Sequence, residues 1–209
     1  VSLGDLDGDG DLDMAVANFS SDDVSVLRNQ GDGTFAPEIR FGAGANPVSV
    51  ALGDLDGDGD LDMAVANSNF RNIDASVLLN QGDGTFASQT RYDVGGQPWS
   101  VVLGDLDGDD DLDMTFANKF NGGDARVLLN QGDGTFASQT RYATGDGAVS
   151  LALGDLDGDG DLDMAVANEI SDDTSVLLNQ CVSVCTGDLN ADGVIDFSDV
   201  NLLNDAFQS

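Results

Sequence analysis

The chain has 209 residues, 39 acidic against 7 basic, no histidine and a net charge of −32. So little basic surface argues against nucleic acid and anionic membranes as partners, and no run of about 18 apolar residues is present to span a bilayer as a helix. With 41% hydrophobic residues there is enough material for a core, so the charge must be explained by its placement rather than by disorder.

The stretch "GDLDGDGDLDMAVAN" starting at Gly4 recurs almost unchanged three more times, and its acidic loops begin at Asp5, Asp54, Asp105 and Asp155, a period near fifty. These loops and a fifth near the C-terminus hold 25 of the 39 acidic residues, so the charge is local. Repetition at this period is the sequence mark of a repeat architecture. Val1 opens inside the first unit with no initiator Met before it. The chain therefore reads as a fragment that has lost an N-terminal part.

Taken in order, each unit predicts four short strands with two-residue alternation. In the second unit "PVSVALG" places Val48, Val50 and Leu52 on one face and Ser49, Ala51 and Gly53 on the other. After the acidic loop, "LDMAVAN" places Leu61, Met63 and Val65 opposite Ala64 and Ala66, and "ASVLLN" follows. The turn "QGDGTF", with its Asp83-Gly84 hairpin signal, leads to a fourth strand ending at Arg91-Tyr92. The fourth unit stops after "SVLLNQ" without an outer strand. Four antiparallel strands per repeat, large on one face and small on the other, predict an all-β fold, a β-propeller with one blade per unit. A calcium β-roll would need tandem nine-residue repeats, and a sandwich would not need near-identical units. The units run about 1–46, 47–97, 98–147 and 148–180, four blades of a larger ring. A short calcium-loop-helix element follows over 181–209, beginning with Cys181 and Cys185, which either form a local disulfide or remain free thiols.

The loops carry the chemistry. In the first, Asp5, Asp7 and Asp9 hold positions 1, 3 and 5, Gly10 position 6, Asp11 position 7 and Asp13 position 9. This is the first three-quarters of an EF-hand loop: carboxylates at 1, 3 and 5, a glycine for the turn, a main-chain carbonyl at 7 and an acid at 9. The pattern repeats as Asp54, Asp56, Asp58, Asp60, Asp62; as Asp105, Asp107, Asp109, Asp111, Asp113; and as Asp155, Asp157, Asp159, Asp161, Asp163. Oxygen-only donors suit a hard cation, and Ca²⁺ is favoured over Mg²⁺, which holds its waters. Position 12, a bidentate Glu in a signalling EF-hand, is Val16, Val65, Phe116 or Val166. The expectation is therefore structural calcium of modest affinity, on the order of 10⁻⁴ to 10⁻³ M, and not a sensor. The third loop departs from the others, with Asp110 in place of glycine at position 6, so its site should be the weakest. The C-terminal loop is complete: Asp188, Asn190, Asp192, Val194 (through its carbonyl) and Asp196, with Asp199 at position 12 and Val200, Leu202, Leu203 and Phe207 following at helical spacing. Catalysis is not expected: the only glutamates, Glu38 and Glu169, lie outside the motif, and histidine, the commonest general base, is absent.

These repeats resemble the FG-GAP/VCBS family, the blades of integrin alpha-subunit-like propellers, through "RFGAGANPVSVALGDLDGDGDLDMAVAN", the "GDGTF" turns and the four acidic loops. The resemblance covers residues 1–180. It implies a calcium-stabilised propeller of about seven blades in secreted or cell-surface bacterial proteins, used for adhesion or for presenting a binding face. The tail from Asp188 to Asp199 is similar to a type I dockerin repeat, which implies docking to a cohesin through loop positions 10 and 11, here Phe197 and Ser198. A calcium cap or surface tether is the milder alternative.

Strand order places the acidic loops and the Gly-Asp-Gly turns at one end of the blades. The opposite end carries the connections that differ between units, among them Phe19–Asp23, Ser68–Asp74, Lys119–Asp124 and Glu169–Asp173. Variable loops on a rigid scaffold usually carry recognition. Trp99 enters there beside Phe70, Arg71, Lys119 and Phe120, either as part of an aromatic platform or as core filler. The function expected is a calcium-stabilised extracellular binding, adhesion or scaffold module for a protein or carbohydrate partner. The alternative is a non-catalytic accessory part of a larger secreted polysaccharide-degrading enzyme with a cohesin-docking tail.

Overall fold

The computed structural model describes residues 1–70, 73–120 and 122–179. The two cysteines and the dockerin-like element, with its ligands Asp188 to Asp199, lie outside the described residues. All strand pairing is antiparallel and sequential. The first sheet holds β1 (Ser2–Gly4), β2 (Asp13–Asn18), β3 (Asp23–Leu27) and β4 (Ile39–Gly42). The second holds β5 (Pro47–Gly53), β6 (Asp62–Ser68), β7 (Ile73–Leu78) and β8 (Thr90–Asp93). The third holds β9 (Pro98–Gly104), β10 (Asp113–Asn118), β11 (Asp124–Leu128) and β12 (Thr140–Ala143), and the fourth, among the described residues, β13 (Ala148–Gly154), β14 (Asp163–Asn168) and β15 (Asp173–Leu177). No helix occurs among the described residues. The innermost strands β1, β5, β9 and β13 pack side by side in that order, as blades of a propeller do.

Size alternation across each sheet explains this stacking. Met63, Val65 and Val50 of the second sheet pack on Ala15, Val24 and Val26 of the first. Phe116, Met114 and Val101 of the third pack on Ala64, Ala66 and Ala75 of the second. Met164, Val166 and Leu151 of the fourth pack on Ala117, Ala125 and Val127 of the third. A large face thus meets a small one at every seam, which lets the sheets approach closely at interior packing density. Aromatic pairs close the outer rim of two seams: Phe41 meets Phe86 edge-on at 5.1 Å between ring centroids, and Tyr92 meets Phe136 at 5.3 Å.

One facing differs from strict alternation. The register shifts by one residue between Pro47 and Ser49, so Val48 packs with Ala51 against the core shared with the third sheet, while Val50 and Leu52 pack toward the first. A bulge inserts one residue and turns everything beyond it to the other face. The same shift recurs where β9 and β13 begin.

Candidate functional site

Each acidic loop joins the first and second strands of a sheet, and its chain reversal is fixed by its own carboxylates. Asp5 accepts from the Gly8 and Gly10 amides at 2.8 and 2.9 Å. Asp54 and Asp155 hold their loops in the same way. Asp105 does so with Gly108 and, at 3.1 Å, Asp110. Position 6 has φ of +92°, +94° and +101° in Gly10, Gly59 and Gly160, and Asp110 is held at +73°. Such angles disfavour any residue with a Cβ. At position 5, Asp9, Asp58, Asp109 and Asp159 each accept from the amide of position 7.

Position 9 is the anchor. Asp13 is wholly buried and accepts from the Leu6 amide at 3.0 Å and the Asn29 amide at 2.7 Å, tying the acidic loop to the Gly-Asp-Gly hairpin of its own sheet. Asp62, Asp113 and Asp163 repeat both bonds. The hairpin asparagine then reaches the preceding sheet: Asn80 donates to the Leu6 carbonyl at 2.9 Å, Asn130 to Leu55 at 2.9 Å and Asn179 to Leu106 at 2.8 Å. The loop's own leucine is buried beneath that contact, with Leu6, Leu55 and Leu106 all 3% exposed or less. One continuous network therefore joins loop, hairpin and neighbouring blade.

Carboxylate oxygens of Asp5, Asp7 and Asp13 come within 4.8 Å of one another, as do those of Asp105, Asp107 and Asp113 and of Asp155, Asp157 and Asp163. In the second loop the group is Asp54, Asp56 and Asp58. The position-7 side chains stand apart: Asp11, Asp60 and Asp111 lie over Gly31, Gly82 and Gly132, where a Cβ would come within 2.7 to 2.9 Å of their Oδ2 atoms. Burial raises the Asp7 and Asp56 carboxyls, helped by neighbouring aspartates, and pushes Asp107 up to about 6. It lifts Asp62 to about 6 and Asp113 to about 7, against the pull of their two backbone donors. Oδ1 of Asp7 and Oδ1 of Asp107 are buried without a hydrogen-bond partner. Buried, crowded carboxylates with unsatisfied oxygens are chemically suited to a hard divalent cation.

The opposite end of the sheets is different in kind. Trp99, at the start of β9, is 38% exposed and carries the Lys119 ammonium 4.8 Å from its ring centroid, so it is not core filler. Lys119 also pairs with Glu169. Phe70 and Phe120 lie 5.8 Å apart. Arg71, expected beside them, lies outside the described residues. The sequence reading named Phe70 and Phe120 but missed the row they belong to: among the described residues each connection between second and third strands exposes an apolar side chain, Phe19, Phe70, Phe120 and Ile170. Its signal was an apolar residue inside an otherwise polar connection.

The FG-GAP-like repeat family model matches residues 5–65, 65–116 and 115–166. Among solved structures, a Photorhabdus luminescens Tc holotoxin pore is similar at 22% identity with a TM-score of 0.50, over 82% of this chain. The chain spans about 8% of the length of that toxin chain. No curated protein matches.

Proposed function

Since this chain belongs to the FG-GAP-like repeat family, we propose that it is a non-catalytic, calcium-stabilised extracellular binding module. In this reading one end of its blades is clamped by metal and the other recognises a protein or carbohydrate partner. The observation that carries the reading is the fourfold recurrence of the carboxylate cluster, with the buried oxygens of Asp7 and Asp107 lacking any donor. When bound, Ca²⁺ supplies the positive charge that lets three carboxylates share one small volume. Positions 1, 3 and 5 would hold it by side chain, position 7 by its carbonyl and position 9 through the carboxylate that already ties the hairpin. At ~1 mM calcium and a dissociation constant of ~0.1 mM, each site adds about 1.4 kcal/mol. Several such sites rival the whole stability of a domain.

The recognition face is supported by Trp99, Phe70 and Phe120 with the row of exposed apolar side chains, since clustered exposed apolar surface on variable loops marks interaction sites. The experiment is a pair of measurements on the whole chain. Melting in millimolar calcium should occur well above melting in EDTA, and identical curves would refute the metal clamp. On glycan and protein arrays in calcium, Trp99→Ala and Phe70→Ala should abolish capture at an unchanged melting temperature. Capture that survives both would remove the face from the reading.

A further inference from the structure

Given the metal clamp proposed above, we infer that Arg28 is a resident counter-ion of the first acidic loop. It neutralises part of that loop when no metal is bound and, for the same reason, makes its site take a divalent cation more weakly than the second and fourth. The residue before the hairpin asparagine is Leu79 and Leu178 in the runs "SVLLNQ" of the second and fourth units, and Leu129 in "RVLLNQ" of the third. In "SVLRNQ" of the first unit it is Arg28.

Arg28 and Leu79 occupy the same place in the fold. Gly84, in the hairpin of the second sheet, lies against the first loop, where a Cβ would come 3.1 Å from Asp7 Cβ and 3.7 Å from Arg28 Nε. Gly134, in the hairpin of the third sheet, lies against the second loop in the same way, with Asp56 Cβ at 3.2 Å and Leu79 Cδ2 at 3.1 Å. The hydrocarbon of the second loop is thus a guanidinium at the first. Its Nη1 lies 3.6 Å from Oδ2 of Asp7.

Asp7 stands at position 3, and its oxygens converge with those of Asp5 and Asp13. Its two oxygens are divided: Oδ2 pairs with Arg28, while Oδ1 is buried without a hydrogen-bond partner. Among the described residues no other acidic-loop aspartate pairs with a basic side chain. The field of Arg28 also crosses the seam: Asp83, held below the usual carboxylate range chiefly by Thr85, is lowered further by it. A unit positive charge beside converging carboxylates offsets their mutual repulsion in the metal-free loop, and it repels a divalent cation that would share them. A partly exposed ion pair adds little to global stability, so the effect belongs to the loop.

The position-6 glycine amides report the loops one by one, because Gly10, Gly59 and Gly160 donate to Asp5, Asp54 and Asp155. Calcium chloride is titrated into the full chain at low salt and followed by ¹⁵N–¹H correlation spectra. Gly10 should reach its half-shift at roughly fivefold or more higher calcium than Gly59, the scale of one unit charge near a divalent ion at a water-exposed site. Arg28→Gln should bring Gly10 level with Gly59, Arg28→Lys should keep the lag, and Leu79→Arg should give Gly59 a lag of its own. High potassium chloride should shrink the parent's lag, which a packing role for Arg28 would not produce. In EDTA the Gly8 and Gly10 amides should exchange with solvent roughly twofold or more faster in Arg28→Gln than in the parent, with Gly57 and Gly59 unchanged. An equal Gly10 half-shift in the parent and Arg28→Gln would overturn the proposal. If no glycine amide responds to calcium, the metal clamp itself fails. The counter-ion role then stands on faster exchange of Arg28→Gln in EDTA, and equal exchange there removes it.

Discussion

Burial holds the Asp62 carboxyl near 6 and Asp113 near 7, against an ordinary 3.8. Protons and divalent cations are alternative ways to relieve such groups. From about pH 3.8 up to about 7 the folded chain retains protons that the unfolded chain has released, so stability without metal falls as pH rises through that window. Asp124, held low despite its burial by Arg126, Asn118 and Arg141, titrates below the window and does not oppose the trend. In EDTA the melting temperature should therefore be higher at pH 5 than at pH 8, and millimolar calcium should shrink that difference by supplying the missing charge at pH 8. A flat EDTA profile by calorimetry would contradict the burial account of these carboxylates. Asp110 is the other informative residue. It is held at a positive φ, +73°, as the glycines of the other loops are, and its amide donates to Asp105 as theirs do to the first aspartate of their loops, so its penalty, about 1 kcal/mol, is carried by the loop rather than relieved. A calcium titration should show the third site lagging behind the second and fourth, and Asp110→Gly should bring it level with them. Equal second, third and fourth sites in the parent chain would refute this.

Strands were legible because their period is two and their turns are marked by glycine and aspartate; the large and small faces of "LDMAVAN" read off the sequence are the faces that meet at the seams. The facing of Val48 was not legible, since a bulge leaves no signature in alternation alone. Nor was the reach of Asn80 to the Leu6 carbonyl, which joins residues 74 apart. The repeat nevertheless held a clue: position 2 of every loop is leucine, apolar within a run of acids. Its purpose depends on having a following sheet. Leu106 is 3% exposed in the core between the third and fourth sheets, while its equivalent Leu156 is 54% exposed. Leu106→Ala should destabilise by about 2–4 kcal/mol, and Leu156→Ala by less than about 0.5 kcal/mol. Equal losses in denaturant titrations would show that the leucine serves the loop itself and not the seam.

Across the whole molecule, stability is a matter of neighbours. The second and third sheets each share cores on both sides, whereas the first exposes Leu3 and Leu12 on its outward face and the fourth exposes Val176 and Leu178 on its own. In such arrays the free energy is close to a sum of unit and seam terms, so damage to an inner unit loosens two seams and damage to an end unit only one. The acidic loops turn this into a metal-dependent hierarchy, because each loop's leucine and carbonyl form part of the next seam. Asp54→Ala should therefore lower the melting temperature in calcium by more than Asp155→Ala, although both remove the equivalent position of a loop with glycine at position 6. The two variants should differ in shape as well as midpoint: loss at the fourth sheet should produce an early, partial transition, and loss at the second a single broad collapse. In EDTA the gap between them should narrow, because the metal contribution to the damaged loop is already gone from the parent. If the gap persists unchanged in chelator, the hierarchy belongs to the hairpin hydrogen bonds alone and calcium has no part in it.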